Sequence, residues 1–344
     1  MASIGLDENV IRVLPPLNTV LSVKLSGESA WAKSSRVDVE LADGSTESFF
    51  MKTSDGHHGR ESLKGEFEST AAIYAITPEF CPKPMGWGTF KSDSNLHFYV
   101  CKYYDFDKDT LPTPEPFGAC LAKLHSSHTS PRGGQYGFHV VTYNGDLPQD
   151  NAWSSSWEAF FSQSFRHILG IREQRAGGEH GRYSSAPLET GGNCIKPSLI
   201  HGDLWYGNAA ALVDAGTTQH GLIFDPSSFW GHNEFMLKGT DYTDQDELGN
   251  WRPERNRFTQ EYFDAYHAHS PRSPPEEDYD DRNSLYAMSV EVSKNSRRFN
   301  LNAAALFPSQ SVYLDTAIEE MKRLTAKFPK GYEGREPRAD LTRQ

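Results

Sequence analysis

The chain has 344 residues, 37% of them hydrophobic and 12% aromatic, which is enough apolar material for a sizeable core and too much for a disordered polymer. A formal net charge of −12 argues against broad nucleic-acid binding, which rewards clustered Lys and Arg, while leaving room for a local positive pocket for a nucleotide. The four cysteines, Cys81, Cys101, Cys120 and Cys194, are widely spaced without a CxxC pair, so they read as incidental thiols in a reducing compartment.

No apolar run approaches the roughly 18 residues of a membrane helix. Pro15, Pro16, Asn18 and Lys24 interrupt any signal-peptide core in the first thirty residues. Cytoplasmic residence, with no membrane or nucleic-acid partner, is therefore expected.

In chain order, residues 20–39 read as two extended runs around a small polar turn. The meander continues through Asp43-Gly44, a hairpin-turn dipeptide, into SFFMKTS, which places Lys52 on a strand. Residues 61–77 follow as an amphipathic helix with apolar positions at Phe67, Ala71, Ile73 and Tyr74, closed by Pro78 and Pro82. The run at 97–106 is β-prone and leads into the loop TLPTPEPF. Helical periods then lengthen: 117–125, and 155–174 with a stripe at Trp157, Phe160, Phe161, Phe165 and Ile168.

A Gly- and Ser-rich patch at 176–187 reads as a mobile loop. Residues 197–227 form a loop held between short strands. From about Phe258 to Lys327 the text is mostly helical, broken by PRSPPEEDYDD. The expected fold is α+β and two-lobed, like a protein kinase: a small antiparallel-sheet N-lobe over residues 1–104 and a larger, mostly helical C-lobe over 105–328. A frayed tail is expected at 329–344.

The chemistry sits in His201-Gly202-Asp203-Leu204-Trp205-Tyr206-Gly207-Asn208, followed by Phe224-Asp225-Pro226. Asp203 and Asn208 are five apart, the Asp-to-Asn spacing of a kinase catalytic loop. One carboxylate there can accept the proton of an attacking hydroxyl, while an amide oxygen further along reaches a magnesium ion. Asp225, at the end of the apolar run GLIF, supplies a second hard oxygen, and magnesium asks for few protein ligands beside phosphate and water. Either residue alone would be an ordinary turn or cap residue; the joint pattern is what carries the reading.

A strand lysine, Lys52, fits the role of neutralising ATP phosphates. Glu66 is the helix carboxylate chosen to hold it, since Glu68 is turned about 200° away by helical periodicity. The phosphate-covering loop is expected at Ser26-Gly27-Glu28-Ser29, where Gly27 is the lone glycine.

HGDLWYGN with FDPSSFWGHNEF resembles the fructosamine kinase family, the ketosamine-3-kinases and protein-ribulosamine 3-kinases. Further similar stretches are LSGESAWAKSSRV, FFMKTS, KGEFES, LAKLHSSH, YGFHVVTYNGDLPQDNAWSSSWEAFF and WRPERNRFTQEYFDAYH, so the resemblance covers about residues 20 to 328. It implies the aminoglycoside-phosphotransferase-like version of the kinase fold. The implied activity is ATP- and Mg2+-dependent phosphorylation of the sugar 3-hydroxyl of a ketoamine, carried on a glycated protein or a small amine, which leads to deglycation.

Carried onto this sequence, the resemblance implies Asp203 as catalytic base, Asn208 and Asp225 as metal ligands, and Lys52 with Glu66 on ATP. The adenine falls to the backbone of Cys101, Lys102 and Tyr103, and the sugar side to Trp205, His232 and Glu234. Core packing is the other reading of Trp205, and a structural histidine the other reading of His232.

The chain departs from the family pattern in three places. SGESAWA has no cysteine, and KGTDYTDQD (238–246) and SVEVSKNSR (289–297) interrupt stretches that are roughly continuous in the family. Two other functions stay open on sequence: a kinase for another small hydroxyl compound, and a nucleotide-binding pseudokinase.

Overall fold

The computed structural model describes residues 5–29, 31–107, 109–127, 130–177, 195–213, 220–235, 257–290, 301–306, 309 and 311–328. Cys194, most of the Gly- and Ser-rich patch, the segment 238–246, residues 291–297 of the second interruption and the tail from 329 lie outside them.

A short helix, α1 (Glu8–Ile11), starts where Asp7 accepts the Asn9 amide. Strands β1 (Leu17–Glu28), β2 (Lys33–Leu41) and β3 (Thr46–Asp55) then run as a meander. The β2–β3 turn is made by Asp43, whose carboxylate takes both the amide and the hydroxyl of Ser45, and by Gly44. Helix α2 (Gly56–Ile76) follows, then β4 (Pro84–Thr89) and β5 (Leu96–Lys102). The sheet has five antiparallel strands in the order β1-β2-β3-β5-β4.

Strand alternation divides this sheet into two faces. Val37, Val39, Phe49, Met51, Phe98 and Val100 pack with Val10 and Leu14 of the N-terminal segment. The other face carries Tyr99 and Cys101 against Leu63 of α2. Lys52 lies opposite Tyr99 in the register, so it too faces the helix.

Helix α2 begins five residues before the span expected from the sequence, at Gly56 rather than residue 61. The chain leaves β3 through Gly56 in a left-handed conformation and coils at once, with Gly59 seated against Ser54. That start rests on contact with the sheet, which hydrophobic periodicity does not report.

Beyond β5 the chain crosses at residues 103–105, and β6 (Phe106–Asp107) already pairs in the second lobe. The lobe continues through α3 (Pro114–Ser126), the hairpin β7 (Tyr143–Asn144) and β8 (Leu147–Pro148), and α4 (Trp157–Ala176). Pro114 opens α3, and Ser156 caps α4 by accepting the Ala159 amide. Next come β9 (Ser198–Ile200), β10 (Ala209–Leu212), β11 (Leu222–Ile223) and β12 (Phe229–Gly231). Strands β11-β10-β6 and β12-β9 form two small antiparallel sheets.

Helices α5 (Gln260–His269), α6 (Tyr279–Val290), α7 (Leu301–Leu306) and α8 (Ser311–Lys327) complete the lobe. Its core gathers Phe117 and Leu121 of α3, Trp157 and Phe160 of α4, Phe229 of β12 and Tyr266 of α5. Among the described residues no helix is long and apolar enough to cross a membrane. The architecture is a small antiparallel-sheet lobe with one long helix, joined to a larger, mostly helical lobe.

Candidate active site

The loop 201–208 lies between β9 and β10, and Asp225 follows β11. Its first anchor is His201, fully buried. Nε2 of His201 donates to the Phe224 carbonyl at 3.0 Å, so Nδ1 is the acceptor that takes the Asp203 amide at 3.3 Å. One imidazole thus ties the loop to the segment after β11 that carries Asp225. Asn208, also buried, donates from Nδ2 to the Asp203 backbone oxygen at 2.9 Å and to its carboxylate at 3.1 Å. With the amide nitrogen so committed, the Asn208 side-chain oxygen is left as a hard acceptor.

On β3, Lys52 donates to Glu66 at 2.8 Å and to Asp225 at 2.9 Å. Glu68 instead meets His139 at 2.9 Å, so Glu66 is the residue of α2 that reaches the lysine. Burial by itself depresses a lysine, yet the charges of Asp225 and Glu66 hold the Lys52 ammonium well above its ordinary value. Burial pushes the Glu66 carboxyl up, to about 7, against the pull of Lys52 and with the push of Asp225. Asp225, whose side chain is about half exposed, is held below the usual carboxylate range, because the attraction of Lys52 outweighs its partial desolvation. One cation cannot neutralise two carboxylates, and Glu66 carries the excess.

Asp225 adopts φ +54°, a left-handed conformation that few non-glycine residues take. One carboxylate and one amide oxygen make the small, hard donor set that magnesium takes when phosphate and water fill the remaining positions. The residues present therefore fit that ion.

The remaining residues named from the sequence fall in different settings. Gly27 lies near the end of β1, opposite Ser34, in the exposed β1–β2 hairpin. Trp205 precedes a 3-10 turn (Tyr206–Asn208) and its indole lies over Gly207, edge-on to Tyr206 at 4.8 Å between centroids. On the adenine side, the expectation for 101–103 shifts. The Cys101 side chain is buried under α2, and the Lys102 and Tyr103 amides are bonded to the Lys83 and Ser48 carbonyls. The β-prone run to residue 106 is cut short, since β5 ends at Lys102, and Tyr104 is the first residue beyond it whose amide no described backbone bond engages.

His232 and Glu234, expected on the sugar side, are shut away from solvent at 1% and 0% exposure. The two nitrogens of His232 meet the Tyr286 and Ser273 hydroxyls, each at 2.9 Å. Glu234 is paired with Arg282 at 2.9 Å and accepts the Ser273 amide. Their polar atoms are engaged inside the helical lobe, where they brace the chain before α6. Sequence reading also missed Asn144 and Gln149, which bond to Ser227 beyond Asp225. The available signal was Asn144-Gly145, a hairpin dipeptide, but it carries no hint of its distant partner.

Burial lowers both His201 and His232 to about 4, so each stays neutral in the folded protein. An unfolded histidine titrates near 6.5, so this stability is fully present above about pH 6.5 and is lost as pH falls towards about 4. The expected slope is up to about 1.4 kcal/mol per group per pH unit. Denaturant midpoints measured at about pH 7, 6 and 5 should fall progressively. A flat profile would mean that the two imidazoles are not held neutral.

Residues 34–325 match the family model described as Fructosamine kinase. The protein-ribulosamine 3-kinase, chloroplastic, of Oryza sativa subsp. japonica is 31% identical over 203 residues, 54% of this chain and 54% of the relative. The chain thus spans about half the length of this curated relative. The ketosamine-3-kinase of Mus musculus is 27% identical over 253 residues, covering 65% of this chain and 75% of the relative.

A solved structure from Thermobifida fusca, described as a candidate fructosamine-3-kinase, aligns with TM-score 0.62 at 21% identity. It covers 92% of this chain and 100% of that one. One from Haemophilus somnus, described in the same way, aligns with TM-score 0.62 at 16% identity and 89% and 91% coverage. These two structures speak to the fold alone. With the family model matched from β2 to within α8, a span that includes Lys52, Glu66, Asp203, Asn208 and Asp225, the chain belongs to the fructosamine kinase family.

Proposed function

We propose that this protein is an ATP- and Mg2+-dependent kinase that phosphorylates the sugar 3-hydroxyl of ketoamines, the adducts left by glycation, and so leads to their removal. The observation that carries the reading is a chain of contacts. Lys52 is held by Glu66 and Asp225, and His201 ties the Asp225 segment to a loop in which Asn208 fixes both the backbone and the carboxylate of Asp203. Names of relatives such as protein-ribulosamine 3-kinase and ketosamine-3-kinase support the choice of acceptor.

In this reading residues 1–104 cover the nucleotide and residues 105–328 carry the catalytic loop and the sugar side. Lys52 leaves Asp225 for the α- and β-phosphates, and Glu66 keeps it aimed. The β1–β2 hairpin with Gly27 covers the phosphates, and the base lies along the crossing near Tyr104. Asn208 and Asp225 would hold magnesium, which supplies charge neutralisation on the phosphate oxygens. Asp203 takes the proton of the attacking 3-hydroxyl and keeps that oxygen in line. Trp205 offers a flat apolar surface to the sugar, and His232 with Glu234 steadies the lobe behind it. The described cysteines Cys81, Cys101 and Cys120 are free thiols, which suits the cytoplasm.

The test is ATP consumption by the purified protein with magnesium, with and without a ribulosamine or fructosamine of lysine. Stimulated turnover is expected. Saturable nucleotide binding with no stimulation by either sugar would remove the ketoamine acceptor from the reading.

A further inference from the structure

Asp225 is held in an unfavoured backbone conformation, and such a residue keeps its place only where its surroundings over-determine it. The turn that follows shows what does so. Ser227 is 1% exposed, and each of its polar groups is taken. Its amide donates to the His201 carbonyl at 2.9 Å. Its carbonyl accepts from Gln149 Nε2 at 2.8 Å and from the Thr142 hydroxyl at 3.3 Å. Its hydroxyl donates to Asn144 Oδ1 at 2.7 Å. The next residue, Ser228, donates its amide to the Ser69 hydroxyl of α2 at 3.0 Å.

Asn144 and Gln149 belong to the β7–β8 hairpin and its flank, far from Asp225 in sequence. The same hairpin segment meets the helix that carries Glu66. The Val141 carbonyl lies where a side chain on Gly65 would go, 2.6 Å from that position, and Tyr143 packs edge-on to His58 with centroids 5.0 Å apart. One short segment therefore touches both elements that supply the carboxylate partners of Lys52.

We propose that Asn144 and Gln149 are positioning residues for the Asp225 turn, acting through Ser227, and that the β7–β8 hairpin thereby sets the affinity of the site for magnesium-nucleotide. The inference rests on Asp225 being a ligand of that ion, as proposed above. Each acts through its bond to Ser227 and so limits the directions in which the Asp225 carboxylate can point.

The experiment is calorimetric binding of a non-hydrolysable ATP analogue to the full chain at a series of magnesium concentrations, with thermal midpoints measured in parallel. The variants are Asn144→Ala, Ser227→Ala and their double, with Asp225→Asn as reference. Ser227→Ala removes a single hydroxyl, and serves if the larger truncation does not fold. Each single variant is expected to raise the magnesium concentration for half-maximal nucleotide binding about tenfold, as loss of one buried hydrogen bond allows. The double should be no worse than either single, since both remove the same bond. In turnover, the magnesium requirement should rise more than kcat falls.

Lowered thermal midpoints with an unchanged magnesium requirement would overturn the proposal and leave a purely structural hairpin. If Asp225→Asn itself leaves the magnesium requirement unchanged, the ligand role of Asp225 falls first and this inference falls with it.

Discussion

Asp203→Ala is expected to lower kcat by about 10²–10⁴-fold while nucleotide affinity stays within a few-fold of the wild type, the range that a lost, well-placed general base gives. The geometry separates the two effects. Asp203 is aimed by Asn208 Nδ2 at 3.1 Å and by the hold of His201 on its amide at 3.3 Å. The positive charge that would meet the phosphates is on Lys52, whose partners are Glu66 and Asp225. Removing the Asp203 carboxylate therefore takes away the group proposed to accept the proton and align the hydroxyl, while Lys52 keeps both Glu66 and Asp225.

Single-turnover phosphoryl transfer and equilibrium nucleotide binding on the same preparation measure the two quantities. Near-normal turnover would exclude Asp203 as the base. An equal loss of turnover and of nucleotide affinity would assign it to the nucleotide site instead. Asp203→Asn, which keeps the shape and loses the basicity, should fall with Asp203→Ala.

Gly202→Ala is expected to cost about 3–5 kcal/mol of stability, because two penalties coincide. Gly202 sits at φ +87°, where an alanine is strained, and a Cβ there would lie 2.0 Å from the Ser227 carbonyl oxygen. A Cβ has no freedom to rotate away and the Ser227 carbonyl is backbone, so relief means pulling the 201–208 loop away from the Asp225 turn. That separation threatens the Ser227-to-His201 and Gln149-to-Ser227 bonds, each worth about 1 kcal/mol net.

Gly170→Ala is the contrasting case. Gly170 is within α4 and nothing lies within 4 Å of its would-be Cβ, so the same substitution should gain about 0.5–1 kcal/mol by stiffening the unfolded chain. Urea midpoints of the two variants decide it. A Gly202→Ala protein within about 1 kcal/mol of the wild type would mean that the loop and turn are not in this close contact.

Features written in local chemistry are legible in the residues alone. Alternation and the Asp43-Gly44 turn mark the meander and place Lys52 on β3, where it is found opposite Tyr99. The 3.6-residue period puts Glu66 and Glu68 on different sides of α2, and they meet Lys52 and His139 respectively. The five-residue step from Asp203 to Asn208 is short enough to be closed within one loop, and a side-chain bond closes it.

Tertiary structure decided everything that depends on partners remote in the chain. Lys52 and Asp225 are 173 residues apart, and Asn144 and Ser227 are 83 apart. His232 and Glu234 look polar enough to greet a sugar, yet Tyr286, Ser273 and Arg282 claim them first. Whether a polar side chain faces a cleft or a buried partner is settled by packing, because a buried polar group must be satisfied from whatever the fold brings beside it. Local periodicity carries no record of that neighbour. The amides of Lys102 and Tyr103 make the same point in backbone form, since only the sheet's register shows them already bonded.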